Sequence, residues 1–151
     1  MPYRQPHFPT RKPSARRMKS LRLRADRILS PSLRIPHQAE FHYDETDPLV
    51  VTLALHTPEG SIVRWLVSRD LLLEGTTEPS GIGDVRLWPT RVRTRQVVLL
   101  RLEVHDMSSL FEMDLVQLQK WLEKTFQLVP PGAEFDHTDW TTALTTLMRE
   151  D

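Results

Sequence analysis

Apolar and polar residues alternate along most of this chain, and only its last third changes to a spacing of three and four. Leu21, Leu23 and Ala25 alternate with Arg22, Arg24 and Asp26, the period of a strand with one face buried. After a turn at Ser30-Pro31-Ser32, Leu33, Ile35, Ala39, Phe41 and Tyr43 share one face of a second strand. Pro36 cannot donate to a ladder, which predicts a sheet edge or a bulge at that point. DETDP turns the chain into a third strand with Leu49, Val51, Leu53 and Leu55 on one face. Residues 57–60 close a hairpin onto a fourth, whose inward set is Val63, Trp65 and Val67. One or two helical turns over 69–74 follow, ended by Gly75, which suits the left-handed position after a helix. A strand over 84–88 comes next. Val98, Leu100, Leu102 and Val104 then line a longer strand, turned at 106–109 onto Phe111 and Met113.

The period then becomes helical. Leu115, Leu118, Leu122 and Thr125 recur at three and four with Trp121 beside them, Asp114 and Gln117 suit a capped start, and Pro130-Pro131-Gly132 forces a stop. A last helix over 140–148 would carry Trp140, Leu144 and Leu147 on one face. The order predicts an α+β fold: about seven antiparallel strands in a sheet or open barrel, one helical turn between them, and two C-terminal helices at one end. Val97 and Leu99 lie on the second face of the long strand, where a solvated sheet should be polar. A helix or a neighbouring protomer is expected to cover them, and a homo-oligomer follows.

The 151 residues give room for one domain with an arm. Residues 1–18 hold four prolines and five Lys/Arg, with Tyr3, Phe8 and Met18 as the large apolar groups. This is too little apolar surface to offset the entropy of ordering, so 1–18 reads as a basic, Pro-rich disordered arm and 19–151 as the domain. The net charge of zero hides an asymmetry: residues 1–34 carry ten Lys/Arg and one acid, and residues 35–151 ten Lys/Arg and 19 acids. A basic arm on an acidic body can contact nucleic acid, anionic lipid or its own domain. The absence of cysteine excludes disulfides and thiolate metal sites and fits a reducing cytoplasm. No apolar run reaches membrane-spanning length, and the basic N-terminus has no apolar core of a secretory signal.

The candidate chemistry is thin. GIGD at 81–84 has glycines like a phosphate loop, but a strand follows where a helix start is needed, so Gly81 and Gly83 read as turn glycines. The six histidines show no metal-ligand spacing, and His37 and His42 fall on opposite faces of a continuous strand. Ser61, Ser68 and Ser80 have no nucleophile-elbow context. Asp70 beside Arg69 and Asp84 near Arg86 offer ion-pair material, without an assignable acid–base pair. The reading is no enzyme, with no cofactor or metal. On an extended backbone Arg91, Arg93 and Arg95 would share one face and, with Arg86 and Trp88, could hold a single nucleic-acid strand; a solvated turn explains the same residues.

FHYDETDPLVV, LHTPEGSIVRWLVSRDLLLEG, GIGDVRLWP and LVPPGAEFD, in this order, resemble the SsgA-like proteins of sporulating actinomycetes over about residues 20–150. The specific part contains Trp65, Arg69, Asp70, Gly75, Gly81, Gly83, Asp84, Arg86, Trp88 and Pro89, which the resemblance makes structural or interface residues of the fold. Trp65, Leu71, Leu72, Val85 and Leu87 then fill core, and Asp70, Asp84 and Arg86 are anchors or protomer contacts. The resemblance implies a non-enzymatic sporulation and cell-division protein, cytoplasmic and acting at the septum. It further implies a whirly-like fold in a homotrimer, with the division GTPase FtsZ and a second SsgA-like protein as partners, most nearly in the FtsZ-recruiting branch. The alternative is a single-stranded nucleic-acid binder, against which stands the acidic body.

Overall fold

The structure, a computed structural model, describes residues 18–134. The arm up to residue 17 and the helix expected over 140–148 lie outside the described residues. Eight strands form one antiparallel sheet: β1 (Leu21–Ser30), β2 (Leu33–His42), β3 (Val50–His56), β4 (Ile62–Ser68), β5 (Ser80–Ile82), β6 (Val85–Val92), β7 (Arg95–Val104) and β8 (Met107–Asp114). Helix α1 (Arg69–Gly75) separates β4 from β5, and α2 (Leu115–Leu128) follows β8. The α+β class and the antiparallel pairing are as expected. Two details are corrected: among the described residues there are eight strands, and of the two helices described one is internal and one C-terminal. The missed strand, β5, is the tripeptide Ser80-Gly81-Ile82, too short to show a period.

The spatial order β4-β3-β2-β1-β8-β7-β6-β5 consists of two four-strand meanders. They join along a short seam, where Asp26 faces Glu112 and Arg27 faces Phe111. The outermost strands, β4 and β5, are consecutive in sequence, and this forces the sheet to bend. Laid flat, eight strands about 4.8 Å apart would separate those edges by about 34 Å. The helical residues of α1 advance only about 10 Å, and the four residues before β5 add at most about 14 Å. The sheet is accordingly a curled half-barrel.

The concave face holds the core. Leu23, Ala25, Ala39, Phe41, Val51, Leu53, Val98, Leu100 and Met113 are each at most 4% exposed. Leu118, Trp121 and Leu122 of α2 pack into this trough and are at most 6% exposed. Burial of each such side chain contributes about 1.5–3 kcal/mol, which is what holds α2 to the sheet. Asp114 caps α2 as its sequence suggests, its carboxylate accepting from Gln117 N–H at 2.9 Å. Trp121 lies 6.0 Å from Phe41 and donates from Nε1 to Lys19 O at 2.9 Å, tying the helix to the start of β1.

Pro36 sits at an edge. It faces Asp26 of β1, and β3 pairs with β2 only from Gln38 onward, so no ladder bond is missing there. The bulge in this hairpin falls between Ile28 and Ser30. Four expected core positions fall at or just outside strand ends instead: Leu33 is 53%, Leu49 42%, Val63 45% and Val104 44% exposed. Alternation gives the face correctly, but how far the cover reaches along it depends on where α2 lies. Val97 is fully buried within the single chain and Leu99 half-buried, so Val97 needs no second protomer to cover it.

Candidate functional site

Arg69 is the most enclosed charged side chain described, 1% exposed at the start of α1. Its backbone N–H donates to Leu49 O, holding the end of β4 to the turn before β3. Nη1 donates to Thr125 O at 3.0 Å and Val129 O at 2.8 Å, carbonyls at the end of α2. The same nitrogen donates to Tyr43 Oη at 3.0 Å, and that hydroxyl donates onward to Pro48 O. Nη2 reaches Glu134 Oε1 at 3.3 Å, and the guanidinium lies 3.9 Å over the Phe126 ring. A cation at a helix C-terminus satisfies carbonyls that lack intrahelical partners and opposes the negative end of the dipole. Arg69 therefore clamps α2 onto the sheet. RDLL and LVPPGAE, far apart in sequence, meet at this one guanidinium.

Burial of the Tyr43 phenol raises its pKa above the usual value, with the Arg69 charge opposing the shift. Both groups are enclosed, Arg69 1% and Tyr43 6% exposed, and their bonds join separate elements of the fold, so the arrangement is structural.

The remaining residues singled out in the sequence divide by role. Asp70 is exposed in the first turn of α1 and pairs with no described cation; Arg69 turns instead to Glu134. Gly75 is not a left-handed cap. The helix ends at Thr76 in right-handed geometry, and a Cβ on Gly75 would lie 2.5 Å from Leu87 Cβ. Its function is close approach of α1 to β6. Gly81 and Gly83 do turn the chain, at φ +130° and +66°, around the two-residue loop Gly83-Asp84 between paired Ile82 and Val85. Asp84 anchors through its backbone, its carbonyl accepting from Glu103 N–H at 2.9 Å, and no ion pair joins it to the exposed Arg86. Leu72 and Leu87 are fully buried, while Trp65, Leu71 and Val85 pack half-buried against the core. Trp88 is half-buried opposite Leu99, and Pro89 lies where β6 has outrun β5, on a free edge.

Arg91, Arg93 and Arg95 are all exposed, at the hairpin joining β6 to β7. They do not share a face. The chain reverses at Arg93, which takes φ 60°, so Arg95 stands opposite Val92 while Arg91 stands opposite Gln96. Neighbouring register pairs point to opposite sides, and this places Arg91 and Arg95 on different faces.

Two further features were not legible in the sequence. On the convex side, Glu40 accepts from Ser20 Oγ at 3.3 Å and lies beside Arg22 and the His42 and His56 imidazoles, at 3.5, 3.0 and 3.5 Å. Burial pushes its carboxyl up, and the Arg22, His42, Ser20 and His56 contacts together bring the net shift below the usual value. The second feature is apolar surface left in the open. β4 ends the sheet with Ile62 43% and Leu66 70% exposed on its convex face. Among the described residues no three-ligand group could hold a metal ion, and no helix is long and apolar enough to cross a membrane.

These stretches recur in known proteins. A sporulation-specific cell division protein SsgB of Streptomyces coelicolor is 36% identical over 82% of this chain and 90% of its own length. SsgB of Kineococcus radiotolerans is 37% identical over 89% of this chain and 79% of its own. The solved structure of an SsgA-like sporulation-specific cell division protein from Thermobifida fusca superposes with TM-score 0.77 at 26% identity, covering 88% of this chain and 98% of that one. A second, from work on SsgB mutations and longitudinal cell division during sporulation of Streptomyces coelicolor, gives TM-score 0.75 at 36% identity, over 78% and 93%. The family model for the Streptomyces sporulation and cell division protein SsgA matches residues 37–134, which include the Arg69 clamp with both stretches it joins: the chain belongs to the SsgA family.

Proposed function

We propose that this protein is a non-enzymatic assembly factor for cell division during sporulation, which helps to position or recruit the FtsZ ring at septa together with a second SsgA-like protein. The observation that carries the reading is the identity to SsgB over most of both chains. SsgA-family sporulation and cell-division proteins are non-enzymatic, and two charged groups of this chain, Arg69 and Asp114, serve its architecture. Its working form is a homo-oligomer, the trimer that a whirly-like arrangement of sheets would give, in the cytoplasm at the septum. The support for self-association is the outer edge of β4, which pairs with no other described strand: an edge strand with exposed Ile62 and Leu66 is a template for another strand.

Co-sedimentation with FtsZ polymers tests the partner. The protein is expected to pellet with polymer in a saturable way, and Leu66→Lys to lower its mass in light scattering without loss of fold. The same preparation titrated with single-stranded DNA tests the other class of function. The arginines of the β6–β7 hairpin face opposite ways and present no continuous track for a phosphate backbone, so binding at physiological salt is expected to be weak. Micromolar binding to DNA with no co-sedimentation would replace the assembly reading with a nucleic-acid one.

A further inference from the structure

Among the described residues, the trough of the half-barrel is covered at one end only. Helix α2 closes the end near Tyr43 and Arg69, and at the other the concave face opens into a cavity of about 310 Å³. Leu55, Trp65, Leu102 and Phe111 form its walls, and Val104 and Met107 stand at its rim, 44% and 68% exposed. One cation faces into this apolar site. The alternation that directs Leu23 and Ala25 into the core continues to Arg27, which lines the cavity, with Ile35 and Phe111 as its cross-strand neighbours. Arg27 Nε is buried and has no hydrogen-bond partner among the described residues. By contrast Arg34, one strand away on the convex side, is paired with Glu112. An unpaired guanidinium donor in apolar surroundings is costly unless something accepts from it. His37 lies beside it, its Nδ1 bonded to Ile35 O at 3.1 Å and its ring edge-on to Phe111 at 5.4 Å, which leaves Nε2 as the free nitrogen of the ring.

We propose that this cavity binds a single-chain amphiphile with a carboxylate head, the acyl chain lying along Trp65, Leu55 and Leu102 and the carboxylate accepting from Arg27. The planar guanidinium matches a carboxylate's two oxygens. Mostly apolar walls with a few placed polar groups are the usual form of a small-ligand site. At about 30 Å³ for each water-sized group the space holds a chain of roughly ten carbons. The inference rests on the cavity and does not depend on the septal reading.

Calorimetric titration of the full chain with octanoate, decanoate and dodecanoate, each below its micellar concentration, tests it. Affinity should rise about tenfold for each two added methylenes until the cavity is full, near ten carbons. Arg27→Met, which keeps the stem and removes the charge, should weaken decanoate about tenfold and leave decanol unchanged. Val63→Trp at the exposed rim should block both, and circular dichroism of each variant reports that it is folded. Decanoate should also shift tryptophan emission in the parent and not in Trp65→Phe. No heat with millimolar decanoate on folded protein would overturn the proposal, as would equal loss of decanoate and decanol in Arg27→Met. So would a mass in light scattering that falls to monomer in Val63→Trp with no ligand bound by the parent, since the mouth would then belong to a second copy of the chain.

Discussion

At Gly75 and Gly83 the same residue type serves opposite needs. Gly83 has φ +66° and open space where a Cβ would go, so Gly83→Ala meets only backbone strain, about 1–2 kcal/mol. Gly75 has ordinary helical geometry and no space, because Leu87 is fully buried and cannot withdraw from a Cβ at 2.5 Å. Gly75→Ala should therefore cost more, about 2–3 kcal/mol, the range of an overpacked core. Urea denaturation of both variants checks the order, and a larger loss at Gly83 would refute it. Tyr43 gives a pH dependence. Its folded pKa is raised, first by burial, so at high pH the unfolded chain gives up this proton before the folded one does. Its contribution to stability is constant below about pH 10, the ordinary phenol value, and is lost as pH rises through the folded pKa. Denaturation midpoints between pH 8 and 11 should fall for the parent and fall less for Tyr43→Phe, and parallel curves would exclude Tyr43 as the source.

At the scale of elements, α2 decides how much of the trough is core. It is held at its start by Asp114, along its length by Leu118, Trp121 and Leu122, and at its end by Arg69. Asp114→Ala removes one cap from an element with many other attachments, and a loss of about 1 kcal/mol is expected by thermal unfolding. A loss several times larger would mean that α2 forms only when its first turn is fixed. The strands show a related division. Faces follow from alternation: Arg27 and His37 point inward as surely as Leu23 and Ala39, although they meet a cavity there and not a core. Arg91 and Arg95 are the case where local extension misleads, because a two-residue loop at Arg93 puts them on different sides.

For the whole molecule, the arm and the body are expected to act separately. The family model begins at residue 37, well after the arm. Met18 packs against the core and should be kept. Removing residues 1–17 should change the melting midpoint little, and any nucleic-acid binding should go with them. A loss above about 1 kcal/mol would show that the arm is docked on the body.

The sequence by itself determined the class, the antiparallel pairing, most strand faces, the start and stop of α2 and the family. Each of these is encoded locally, in a period, a cap or a run of special residues. Tertiary structure alone decided the rest. The hold of Arg69 on α2 was invisible because its acceptors there are the backbone carbonyls of Thr125 and Val129, and a carbonyl carries no residue identity to read. The role of Gly75 depends on what stands across from it, Leu87, which no spacing reveals. The cavity, finally, is a difference between two lengths, the trough that the strands build and the part of it that α2 covers. The sequence contains both elements, but only their packing fixes where one stops short of the other.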